Sequence, residues 1–432
     1  MRFICLISLS LIFVSQFLFA GENMETFSLK NGIEVIYKQV TTVDIVSLKF
    51  CSPVSVFYEK EQKAGVTSLM YSVMNKSTKN RTAEQLVNDI ENLGSSISSD
   101  VEYDFSGITL NSMSQYFDES CKILADIILN PIFDEQELEK EKTLTIESIK
   151  SRKDSIKKTA NDKFIHDFYG NSHPYSKPVS GTVETVEKLT QEDLFSVYDN
   201  VFKTKGITIT VVGNIKKSKL KKILETNFSK LNLTNNLQEK DKYKISEIKD
   251  EDVVEKSKFN QAFIIYAYPA PNVLSKDFVT LKLIGSILGG RMTGRLFVEL
   301  REKLGLAYEV NCTYATRKDN SFFEVYIGLD KKNIDITKKG IEKIMEDLCN
   351  IEVAKEELQD TKSFIKGIYL LDHQAIEKQA YYLAFRQMMG LGYEYDSKYI
   401  ELLENVSAKD IIDCANKYFK QTPYKLVLKP VE

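Results

Sequence analysis

The chain has 432 residues, too many for one ordinary domain, and its 43% hydrophobic content can furnish more than one sizeable core. A formal charge of −3, with Lys and Glu interspersed throughout, argues against a nucleic-acid partner. Local basic runs such as Lys150 to Lys158 read as the solvated face of a helix.

The chain opens with MRFICLISLSLIFVSQFLFA, one early basic residue followed by an apolar run from Phe3 to Phe19. This predicts a secretory signal peptide over residues 1–20, cleaved after Ala20, although Leu18 is bulkier than the ideal residue at that position. The run is short and interrupted by Ser8, Ser10, Ser15 and Gln16, which weakens the alternative of an uncleaved anchor. No later stretch is long enough to span a bilayer, so the mature chain is expected to be exported with no stable membrane span; in a Gram-negative bacterium that means the periplasm. Cys51, Cys121, Cys312, Cys349 and Cys414 would remain, and their wide spacing gives neither a CxxC metal motif nor a disulfide framework. Buried thiols are expected, with a single disulfide left open.

Further along, the order of elements repeats. Residues 104–150 read as a strand (FSGITLNSM), a helix (YFDESCKILADIIL) and a polar helix (DEQELEKEKTLTIESIK). Residues 319–366 repeat that order with FFEVYIGL, NIDITKKGIEKIMEDL and AKEELQDTKSFIK, offset by about 220 residues. A repeat this long means two similar domains. The first is expected over 21–230, where GITITVVGNIKKSKLKKILETNF closes it with a strand, a Gly213-Asn214 turn and an amphipathic helix. Residues 231–250, polar and nearly aperiodic, form a linker, and 251–432 the second domain, whose strand FNQAFIIYAYPAP is stopped by Pro269 and Pro271. The blocks predict an α+β architecture of antiparallel sheets, each covered on one face by helices.

Two segments carry chemistry. In the second half, GSILGGRMTGRLFVELREKLGLAY places Arg301 and Tyr308 seven residues apart, where a helix ending at Gly305 hands over to an extended segment. Both side chains are then free to grip a peptide carbonyl; the alternative is Arg301 paired with Glu299 or Glu302 and Tyr308 as a half-buried strand aromatic. Gly289, Gly290 and Gly294 read as a flexible loop against which substrate could lie, or as simple helix punctuation, and no GK[ST] follows to suggest phosphate binding. In the first half the corresponding segment is GVTSLMYSVMNKSTKNRTAEQL, Gly65 to Leu86. The three histidines, His166, His173 and His373, never fall at the i, i+4 spacing that puts two imidazoles on one helix face, and His173 belongs to an HPY turn before Pro174.

With FSLKNGIEVI, HPYSKPVSGT, VVGN and REKLGLAY as anchors, the chain resembles the pitrilysin/insulinase-type (M16) metallopeptidases, the processing peptidases among them, from about Thr26 to Leu428. The resemblance implies two homologous domains forming the halves of a clam-shell around a peptide-binding chamber. It maps the family's HxxEH zinc helix onto Ser68, Tyr71 and Ser72, and the third ligand, a Glu, onto Ser148, with Glu141 matching the first acid of that helix. Hydroxyls are poor zinc ligands beside imidazole, a phenol is a poor base at neutral pH, and Glu147 lies about 100° away around the helix. All the ligands and the base are therefore replaced, and this chain is expected to bind no metal. The family's Arg/Tyr pair maps onto Arg301 and Tyr308 without a gap. In two-chain members the metal-free subunit presents that pair to substrate while an HxxEH-bearing partner holds zinc. That is the expected role here, in a heterodimer acting on peptides. A scaffold without peptidase action and a self-sufficient peptidase with an unconventional metal site are the alternatives.

Overall fold

The computed structural model describes residues 24–237 and 243–431; the expected signal peptide lies outside the described residues. Two sheets organise the chain. The first has strands β1 (Met24–Ser28), β2 (Glu34–Gln39), β3 (Ile45–Ser52), β4 (Ser96–Val101), β5 (Ser106–Met113) and β6 (Thr208–Gly213), in the order β1-β2-β6-β3-β5-β4. The second has β7 (Asp252–Ser257), β8 (Ala262–Ala270), β9 (Ala307–Tyr314), β10 (Ser321–Leu329) and β11 (Tyr424–Pro430), in the order β7-β11-β8-β10-β9. β2 to β6 of the first sheet match the second strand for strand, so the duplication read from the sequence is a duplication of topology.

The first half supplies α1 (Val66–Met74), α2 (Ala83–Asn92), α3 (Phe117–Leu129), α4 (Glu135–Arg152), α5 (Ile156–Tyr169), α6 (Val183–Val186), α7 (Gln191–Phe202) and α8 (Lys217–Phe228). The second half supplies α9 (Phe278–Leu288), α10 (Ile334–Asn350), α11 (Lys355–Asp372), α12 (Ile376–Met388), α13 (Tyr395–Glu404) and α14 (Ala408–Phe419). Between α8 and β7 the described residues form no helix or strand, and Tyr243, Ile245 and Ile248 of that stretch pack against the apolar cluster that joins α5 to the second sheet. The two-sheet α+β architecture expected from the sequence is therefore present, with two refinements.

Each sheet contains one parallel pair, β2 with β6 and β7 with β11, so neither is wholly antiparallel. Pro269 sits inside β8, opposite Phe322, instead of ending it. Each sheet is also covered on both faces, the second cover coming from the other half of the chain. Helix α5 belongs to the first half, yet Ala160, Phe164 and Phe168 pack on Phe263, Ile265, Phe322 and Leu426 of the second sheet. Phe164 meets Phe322 edge to face at 4.8 Å, and the Tyr424 hydroxyl donates to Asp167 at 2.7 Å. Reciprocally, Ile376, Ala380 and Leu383 of α12 cover Ile36 and Val212 of the first sheet, where Thr210 Oγ1 donates to the Ala380 carbonyl at 2.9 Å. The physical reason is legible in β6, TITVVG, all six of whose residues are buried: a strand apolar on both sides needs two covers.

A third clasp joins the halves. The Asp104 carboxylate accepts from the Tyr175 hydroxyl at 2.6 Å and from the Lys318 backbone N–H at 3.1 Å. The neighbouring Arg317 guanidinium lies 4.2 Å over the Tyr103 ring. His173 is fully buried here; its Nδ1 accepts from the Tyr175 backbone N–H, and burial holds its imidazole down at about 4. Among the described residues, Cys51, Cys121, Cys312, Cys349 and Cys414 are buried free thiols.

Candidate functional site

Helix α1 begins where two backbones touch. Gly65 has a left-handed φ of +91°, and a Cβ there would come within 2.6 Å of the Ser180 carbonyl oxygen, so only glycine fits. The contact fastens the start of α1 to the Pro174–Gly181 stretch. The buried Glu59 carboxylate accepts from the backbone N–H groups of Gly65 and Thr67, both at 2.9 Å, satisfying donors that a helix N-terminus leaves open. Burial nonetheless pushes this carboxyl up to about 7, against the lowering effect of those bonds.

The four positions expected to correspond to a zinc site separate into different surroundings. Ser68, half-buried, donates to the Val179 carbonyl at 2.8 Å and lines a cavity. Tyr71 points into the core, 1% exposed, its hydroxyl 3.2 Å from Ser106 Oγ and its ring edge-on to Phe202. Burial drives that phenol far above its usual range, which removes it further from service as a base. Ser72 is half-buried and Ser148 is exposed on α4, one turn before Arg152. The retained acid, Glu141, is buried and faces Lys76, whose Nζ lies 2.9 Å from Oε1. A lysine ammonium thus stands against the acid that survives, a pairing that sequence reasoning passed over. Among the described residues no group of three or more His, Cys, Asp or Glu side chains could hold a metal ion. The donor set at the four positions is three aliphatic hydroxyls and a neutral phenol, and it does not fit zinc.

The second segment keeps its geometry. After α9 the chain passes through Gly289 and Gly290, turns, and forms a π-helical stretch over Phe297–Lys303. Gly305, with a φ of +62°, ends it, and the Leu306 N–H returns to the Leu300 carbonyl at 2.9 Å. Arg301 is exposed, its guanidinium 5.0 Å over the Phe297 ring, while Glu299 pairs with Lys303. Tyr308 is 57% exposed on β9, an edge strand of the second sheet. π-helical turns occur disproportionately at functional sites, a signal that the residue pattern did not disclose.

The glycine segment is pinned in place. The Gly290 N–H donates to Asn311 Oδ1 at 2.7 Å, and a Cβ on Gly289 would fall 2.8 Å from the Cys312 nitrogen. Arg291 ties the same loop to Thr361 of α11, and Arg295 grips both carboxylate oxygens of Glu357 at 2.8 and 2.7 Å. Close packing is thus the immediate reason for Gly289 and Gly294. Helix α5 connects the two regions: Lys157 contacts Glu309, the neighbour of Tyr308, and Asp162 holds Arg152 at 2.7 Å. The two α5 residues are five apart, about 7.5 Å along the axis.

A two-sheet α+β fold with exchanged helices, a first-half helix packed on the Pro174–Gly181 stretch and a second-half Arg/Tyr segment defines the class. It is the fold of a peptidase M16 inactive domain protein from Pseudomonas fluorescens, with a TM-score of 0.87 at 18% identity, covering 95% of this chain and 99% of that one. Residues 34–183 match the family described as Insulinase (Peptidase family M16), and residues 188–364 match Peptidase M16 inactive domain. The chain belongs to peptidase family M16. It is 27% identical to an uncharacterized zinc protease of Rickettsia felis over 95% of this chain and 98% of the relative. It is also 23% identical to a non-peptidase homolog of Helicobacter pylori, over 82% of this chain and 81% of that protein.

Proposed function

We propose that this chain is the non-catalytic, substrate-binding subunit of an exported two-chain zinc peptidase. The observation that carries the reading is an asymmetry between the two segments. The positions a metal would need hold no ligand, while Arg301 and Tyr308 stay exposed, next to one another in the chain order of turn and edge strand. A guanidinium and a phenol so placed can donate to a peptide carbonyl and to the oxyanion that develops from it, while a partner bearing HxxEH supplies zinc and the attacking water. The short span of α5 between the Ser68 cavity and β9 supports one continuous peptide path across the chain.

The test is peptide hydrolysis by the mature chain alone, by an HxxEH-bearing relative from the same organism alone, and by the two mixed. Activity confined to, or raised in, the mixture is expected. Arg301→Ala and Tyr308→Phe should each lower turnover of the mixture by about 100- to 1000-fold, the range for losing a transition-state donor, without unfolding the chain. Peptide binding with no activation of any partner would instead favour a scaffold, and activity of the lone chain would sink the proposal.

A further inference from the structure

The cavity beside Ser68 has about 290 Å³ of space and is lined by Ser68, Tyr103, Arg152, Asn161, Asp162 and Ser180, among others. Its position is informative: Ser68 is the first of the replaced ligand positions, and Arg152 lies one helical turn beyond Ser148, the last of them, on the same face of α4. A cation-bearing side chain therefore looks into a cavity that shares Ser68 with the positions where the resemblance puts a metal.

The lining is rich in donors. Arg152 gives one N–H, through Nη2, to Asp162 Oδ1 at 2.7 Å. The guanidinium has five, and the pair is about one-third exposed on each side, so the remaining N–H groups can serve a ligand. Asn161 and Ser180 add an amide and a hydroxyl, neither engaged in a side-chain hydrogen bond among the described residues. Burial raises the Tyr103 phenol, which keeps its proton available at neutral pH. Ser68 already donates to Val179, so its oxygen is left as an acceptor.

From this lining we infer that the cavity binds the C-terminal carboxylate of a peptide. A planar monoanion matches the guanidinium fork, with Asn161 and Ser180 as further donors. Asp162, beside the same fork, disfavours a doubly charged phosphate and offers an acceptor for the backbone N–H of the terminal residue. The volume suits one or two residues of a chain end, not a folded domain. The inference rests on the peptide-binding reading above and extends it: this chain holds a peptide by its end, where an active relative would engage a bond to be cut.

Fluorescence anisotropy on the mature chain separates the possibilities, with an unstructured, N-terminally labelled nine-residue peptide as free acid and as C-terminal amide. The free acid is expected to bind at least tenfold more tightly. Arg152→Gln should reduce that ratio to about one, and Asn161→Leu, which leaves the Arg152–Asp162 pair intact, should reduce it in part; thermal melts check that both variants fold. Arg301→Ala should weaken both peptides alike and preserve the ratio. Equal binding of acid and amide overturns the carboxylate pocket while leaving peptide binding standing, and binding of neither overturns both.

Discussion

Glu324 shows what a single buried charge does in this molecule. It lies on β10, 8% exposed, on the same face as Phe322 and Tyr326, and burial lifts its carboxyl from the ordinary 4.5 to about 7, with only partial relief from Lys157 and Arg317. The folded chain therefore holds this proton more tightly than the unfolded chain does. The group's contribution is most favourable below the ordinary carboxylate range and is lost as pH rises from about 4.5 to about 7. Glu324→Gln should match the parent near pH 4.5 and exceed it at pH 8 by up to roughly 3 kcal/mol. Paired denaturant titrations at the two pH values check this, and a variant no more stable at pH 8 refutes it. His173 acts in the opposite sense: kept neutral at about 4, it withdraws stability as pH falls below 6.5. Comparing variant with parent at each pH cancels that contribution.

Among the elements, the turn from α9 to the Arg301 segment is closely constrained. Gly289→Ala would drive a methyl against Asn311 and the Cys312 backbone, and Asn311 is the residue that holds Gly290. The expected outcome is a folded chain, destabilised by about 1–3 kcal/mol, with Arg301 displaced and activity in the two-chain assay lowered more than melting temperature alone explains. A variant with unaltered activity would separate the loop from the site.

Much at this scale was legible in the residues. The pattern YFDESCKILADIIL is α3, and FFEVYIGL is β10, each within a residue or two at its ends. The Gly305 stop and the extended start at Ala307 were equally readable, because a left-handed cap leaves a glycine behind. The π-helical winding of Phe297–Lys303 was not, since it depends on where the chain must arrive at β9 and not on local preference. The Lys76–Glu141 pair and the cavity at Arg152 were hidden for a related reason. Both join residues far apart in sequence, and the available hint was only that Arg152 follows Ser148 by four.

Across the whole molecule, the sequence pointed to two units and the structure shows how they are bound. The reading of one covered face per sheet followed from treating each half as self-sufficient, and α5 and α12 break that premise. Unfolding by denaturant should therefore be one transition in which probes in both halves coincide. A chain ending before Ile376 would bare Ile36 and Val212 and is expected to lose the cooperative transition in its first half as well; a truncated chain that keeps an independent melt there would contradict the interlock.

The reciprocal helices also set a timetable. A polypeptide emerges from its ribosome N-terminus first, yet the first sheet lacks its second cover until residues 376–388 have been made, nearly the whole length of the chain. Contacts spanning such separations form slowly, and until they do one face of the first sheet stays bare. Synthesis must therefore be almost complete before the first half can be finished, and the two halves reach the native state together.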